Sequence, residues 1–320
     1  MLVHSLGYPL YMPEPDPGLP KEYRRKGLRI GDVGRITSAG AFDFLFNTCS
    51  PANHPINPSV LPDNFEVLPL NDTSIHENFF APETFLLSDN VDEKDDQFHC
   101  TGVEGAVLAL PEGGTLFEAQ NTGIFQEHAA RHAESWYKYT TGCKERKPAN
   151  GSLYLITGCI KSRTWGIATF YRGPTPGNYL QFISNDVPPG SASNAQSTYR
   201  WQKSGRVIAR IGPNSEGTCE LNQCVFLYGY KVMLHQDVWD TLQCPVSDPS
   251  REGEQRPFSA GEGKKPLHAT AGDSPLKSHH PSMDNKTVQN QNMSASMIAS
   301  DFFNAALPVG YCPSFLCANN

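Results

Sequence analysis

Proline and glycine cut this chain into short pieces. With 26 prolines and 27 glycines among 320 residues, few stretches stay free of helix breakers for long, and short strands joined by turns are the favoured solution. One stretch escapes. Between Thr122 and Thr140, the residues Phe125, Ala129, His132, Trp136 and Tyr139 recur at spacings of four, three, four and three, the period of a helix that buries one face. Gln126, Glu127, Arg131, Glu134 and Lys138 fall on its other face. Thr122 suits an N-cap and Gly142 a stop.

Around this helix the pattern is that of strands. Residues 28–30 and 41–47 read as strands, the second because Phe42, Phe44 and Phe46 alternate with other residues and so line one buried face. Gly31, Gly34 and Gly40 between them suggest a tight turn. Residues 48–100 carry six prolines and then Asp89, Asp92, Glu93, Asp95 and Asp96, which predicts a long irregular excursion with a mobile acidic loop. Residues 105–110, bounded by Gly and Pro, read as a buried strand. Residues 152–160 and 164–171 form the clearest hairpin pattern, with Lys161, Ser162 and Arg163 at its tip. Further strands are expected at 179–184, 198–202, 206–211 and 223–235. The fold class is therefore α+β: a mainly antiparallel β sheet or sandwich packed on one amphipathic helix at about 122–140, with a disordered C-terminal tail.

Four parts follow. Residues 1–27, with Pro9, Pro13, Pro15, Pro17 and Pro20, read as an extended arm laid on the domain surface. Residues 28–244 form the globular β-rich domain. Residues 245–293 hold few large apolar side chains and cannot bury enough surface to offset the entropy of ordering, so a disordered linker is expected. Residues 294–320 form a short segment in which Ile298, Phe302 and Ala305 share one helical face before Pro308.

Charge and cysteines narrow the function classes. A net charge of −7 argues against a general nucleic-acid binder, which needs a basic face. No apolar run reaches the length of a membrane-spanning helix, and residues 1–13 lack the features of a secretory signal. Nine scattered cysteines without Cys-x-x-Cys pairs read as reduced thiols. A cytoplasmic or nuclear protein is the expectation.

The motifs that usually announce a chemistry are missing. There is no phosphate-binding G-x-x-x-x-G-K loop, no dinucleotide-binding G-x-G-x-x-G after a strand, no G-x-S-x-G elbow and no H-E-x-x-H. Four weaker features remain. The turn at Gly31, Asp32, Val33 and Gly34 could offer amides to an anion, with Asp32 opposing it. His128 and His132, four apart on the helix, have the spacing at which two imidazoles share a metal, although the sequence offers no third ligand and His132 lies on the apolar stripe. Cys159 precedes Lys161 and Arg163, cations that lower a thiol's pKa. Lys144, Arg146, Lys147, Lys161 and Arg163 concentrate positive charge in an otherwise acidic chain, which makes an interaction patch for an acidic partner or anionic lipid. No cofactor and no assigned metal or catalytic residue emerge.

Several blocks carry a resemblance. Ile30 to Ile36 (IGDVGRI), Phe42 to Asn47 (FDFLFN), His54 to Pro58 (HPINP), Gly151 to Cys159 (GSLYLITGC) and Asn222 to Tyr230 (NQCVFLYGY) together resemble an uncharacterised protein family of mushroom-forming fungi. The resemblance covers about residues 20–235 and implies a fungal, basidiomycete source but no activity. Leu153 to Thr157 and Cys224 to Met233 are similar to stretches of gasdermin pore-forming domains, where such a strand begins a hairpin. Three readings result. The leading one is a non-enzymatic interaction or signalling module with a protein partner. The alternatives are a gasdermin-like membrane-permeabilising domain, for which a membrane is the less favoured partner, and an enzyme of unfamiliar type using His132, Cys159 or Asp32.

Overall fold

Alternating burial along the strands determines how this chain stacks. The computed structural model describes residues 6–143, 148–171, 177–185, 198–213 and 220–243, with the backbone of 315–318. The chain starts with β1 (Tyr8–Pro9), α1 (Lys21–Lys26), β2 (Asp32–Ile36) and β3 (Phe42–Asn47). It then builds two long hairpins separated by a helix.

The first hairpin runs out through β4 (Thr73–Phe80), β5 (Thr84–Leu87) and β6 (Val91–Lys94). It returns through β7 (Gln97–Cys100), β8 (Gly105–Leu110) and β9 (Gly114–Ala119). Its legs pair antiparallel throughout, β4 with β9, β5 with β8 and β6 with β7. Helix α2 (Thr122–Cys143) follows. The second hairpin comprises β10 (Leu153–Ser162), β11 (Trp165–Phe170), β12 (Tyr179–Ser184), β13 (Tyr199–Ser204), β14 (Val207–Gly212) and β15 (Gln223–Leu234). It pairs β10 with β15, β11 with β14 and β12 with β13. The inner legs of the two hairpins meet along β9–β10, β8–β11 and β7–β12. The result is one four-stranded antiparallel ribbon divided among three successive sheets.

The first sheet is widened by β2 and β3, which pair beyond β10, and by β1 on β15. Helix α3 (Gln236–Gln243) follows β15, and β16 (Phe315–Ala318) pairs parallel to β15. Phe125, Ala129, Trp136 and Tyr137 of α2 bury themselves on one face of this sheet against Phe46, Leu155 and Val232. On the other face Leu10 and Leu28 cover Cys159, Cys224 and Leu227. The central sheet is buried on both sides, which is why β8 (GAVLAL) reads as an unbroken apolar run. Its Ala106, Leu108 and Ile167 face the first sheet. The intervening Val107 and Ala168 face the third. The third sheet has a single apolar face, bearing Phe98, Leu180 and Phe182, and a polar one.

The α+β class with a mainly antiparallel sheet on one amphipathic helix is what the structure has. Several local expectations change. Residues 152–160 and 164–171 are both strands but not partners: the chain turns a corner at 163–164 and moves from the first sheet to the second. Periodicity identifies a strand without naming its neighbour. Residues 48–100 are not irregular throughout, since β4 to β7 lie there. The acidic loop is a hairpin whose two-residue tip, Asp95 and Asp96, has φ of 52° and 58°, the mirror-image turn that suits strand twist. The turn foreseen at 31–34 is confined to Gly31, and β2 starts at Asp32. The N-terminal arm is structural: β1 joins the sheet and Tyr11 is fully buried. The linker expected at 245–293 lies outside the described residues. Among the described residues no helix is long and apolar enough to cross a membrane.

Candidate functional site

The residues singled out in the sequence fall mainly in two places, the α2 histidines and the neighbourhood shared by Cys159, Lys161 and Asp32. On α2, the 3.6-residue period stacks His128 above His132, with ring centroids 4.5 Å apart, and both are buried. Glu66, from the proline-rich segment before β4, reaches across so that its Oε2 lies 3.2 Å from Nε2 of His132 and 3.1 Å from Nη1 of Arg131. One ligand atom from each of Glu66, His128 and His132 lies within 4.8 Å of the other two. Burial, then the neighbouring His132 ring, pushes the His128 pKa down to about 4, so this imidazole is neutral at pH 7. The hydrogen bond from His132, with the Arg131 charge, holds the Glu66 carboxyl below its ordinary value.

On the far face of the same sheet, Cys159 and Lys161 border a cavity of about 220 Å³ together with Arg29, Asn47, Cys49 and Phe117. Lys161 is not a surface cation. It is buried, its Nζ donates to the Lys26 carbonyl at 2.7 Å, and it sits 5.1 Å from the centroid of the Phe117 ring. Cys159 is fully buried, and its thiol is pushed down by a hydrogen bond with Cys224 and by the Lys161 charge. Burial instead raises the Cys224 and Cys49 thiols, the latter to about 12. Of the expected patch, Arg163 is exposed beside Ile75 and Glu112, and Lys144, Arg146 and Lys147 lie outside the described residues.

The Gly31–Gly34 segment offers no amides to an anion. Gly31 N–H donates to the Ile156 carbonyl at 2.8 Å. The Asp32 carboxylate occupies the space, accepting from the Tyr23 hydroxyl, the Arg29 amide and the Asn47 side-chain amide at 2.9, 2.8 and 2.7 Å. Gly31 is itself required, because φ is +84° and a Cβ would collide with Cys49 Sγ. His132 and Cys159 stand on opposite sides of the first sheet, so the three residues named for an unfamiliar enzyme share no cleft.

Sequence reasoning missed two features. Glu66 had no signal of its own. The other is the closed apolar cluster between the second and third sheets, built from Val91, Phe98, Val107, Ala168, Leu180 and Val207 with Phe85, Phe182 and Trp201 packed on it. Every one of these residues belongs to the two hairpins. No family model, curated protein or solved structure matches the chain.

Proposed function

We propose that this is a membrane-active domain whose two hairpins open to lay an apolar face against lipid. One observation carries the reading: among the described residues, the cluster between the second and third sheets draws on no element outside the hairpins. It exists because the ribbon folds back on itself. Straightening that fold would join Phe85, Val107 and Ala168 with Phe98, Leu180 and Phe182 in one continuous apolar face, while Gln97, His99, Gln181 and Gln202 stay on the other. The legs 84–94 and 97–110 match or exceed the roughly 9 to 11 residues of a tilted membrane-spanning strand. Strands can cross only where every backbone group is paired. The free edges at β5 and β14 of the central sheet would then pair with further copies of the chain. The similarity of 153–157 and 224–233 to gasdermin segments points the same way, since β10 and β15 are the two legs of one hairpin.

The interaction-module reading has its own support. Val60, Val67 and Leu70 are exposed along the segment that leads into the edge strand β4, and Ile75 and Phe79 are exposed on that strand, an apolar stretch suited to a protein partner. Dye release separates the two. The full chain is expected to empty vesicles containing anionic lipid at physiological salt. Phe182→Gln, on the apolar face, should lower release at least tenfold, and the adjacent Gln181→Glu, on the polar face, should leave it unchanged. No release by the wild type, or equal loss in both variants, returns the interaction module to first place.

A further inference from the structure

We infer that Glu66, His128 and His132 form a binding site for a divalent transition metal of the zinc type. The donor set is two imidazole nitrogens and one carboxylate oxygen, a combination that zinc takes while leaving a position for water. Two of the three donors are fixed by α2 itself, four residues apart on one face. Their approach is already close: the His132 and Glu66 donor atoms are 3.2 Å apart, and a tetrahedral ion held at about 2.0–2.1 Å needs neighbouring donors at roughly 3.4 Å. Exposed Glu66 can supply the remaining adjustment by rotation.

A second observation points to a ligand. His128 is only 3% exposed, yet among the described residues neither of its ring nitrogens has a hydrogen-bond partner. A ring nitrogen that no protein group holds is open to an ion. Arg131 is the opposing feature, as its guanidinium lies 3.1 Å from the same carboxylate oxygen that approaches His132. Its side chain is 58% exposed, so the guanidinium can turn to solvent and leave that oxygen to the ion. A metal here would also tie the exposed segment around Val60 and Val67 to α2.

The test uses the full chain, purified without a histidine tag, stripped by chelator and titrated with Zn²⁺, with Co²⁺ as the spectroscopic probe. Wild type is expected to bind one ion more than a His128→Ala/His132→Ala double variant. Glu66→Gln should weaken that ion at least tenfold and abolish the zinc-induced rise in melting temperature. Because Glu66 is exposed, this variant keeps the fold even where the histidine variant does not. Arg131→Ala separates a metal site from a simple ion-pair latch: zinc affinity holds or rises if Glu66 is a ligand. Equal zinc stoichiometry and affinity in wild type and Glu66→Gln, or an unchanged melting shift, overturns the site.

Discussion

Asp32 holds a carboxyl group away from water between three donors. Burial raises its pKa to about 6, and the hydrogen bonds from Asn47, Arg29 and Tyr23 only partly oppose that. The native state therefore takes up a proton that the unfolded chain, with a pKa near 4, releases. The stabilisation is complete below about pH 4 and is lost as pH rises through about 6. The rise from near 4 to about 6 corresponds to roughly 3 kcal/mol. Denaturation of wild type and Asp32→Asn at pH 7 and pH 4.5 should thus show the difference between them moving by about 2–3 kcal/mol in favour of wild type on acidification. A constant difference would mean that the native Asp32 carboxyl titrates as it does in the unfolded chain. At this scale the sequence was legible only in part. It showed the His128–His132 spacing, but the carboxylate that completes the cluster comes from 66 residues upstream of His132, in a segment without periodicity. Lys161 looked like part of a surface patch because the group that receives its Nζ, the Lys26 carbonyl, lies far off in sequence and leaves no compositional mark.

At the scale of elements, helix α2 was legible because one buried stripe against one sheet imposes a single period. Trp136 is 2% exposed and meets Phe46 edge-on at 5.8 Å. Trp136→Ala should cost about 3–5 kcal/mol in chemical denaturation, and a loss below about 1 kcal/mol would place the side chain outside the core. Strands at 105–110 and 152–160 were legible for a similar reason, since their burial is complete or nearly so, whereas the Phe42, Phe44 and Phe46 alternation marked the strand at 42–47 although its burial rises along its length. The tip of the β6–β7 hairpin was not. Asp95-Asp96 adopts a turn usually written with glycine or asparagine, and a cluster of acids resembles a solvated loop. Strand β9 escaped notice because Leu116 and Ala119 are buried while Thr115, Phe117 and Glu118 are only half covered, which leaves a faint alternation.

For the molecule as a whole, pairing was the illegible quantity. Strand patterns record burial, and burial is the same whether β10 pairs with its neighbour β11 or with distant β15. The two hairpins are nested, and this has a consequence for how the chain reaches its native state. Closing the two-residue tip at Asp95 and Asp96 brings β5 and β8 within reach, and their pairing in turn delivers β4 to β9. Each step closes only a short loop, so the entropy of long-range contact is divided into small increments. The first hairpin should therefore zip from its far end inward. Asp96→Gly, which relieves the positive φ of 58°, should accelerate folding with little change in the unfolding rate. Leu116→Ala, a buried residue of β9 at the base opposite His76 of β4, should act mainly on unfolding. Stopped-flow folding and unfolding rates of the two variants would show the reverse assignment if the base closes first. A tip built from two charged residues in strained conformations then acts as a kinetic throttle, setting the pace at which a newly made chain shelters its strands.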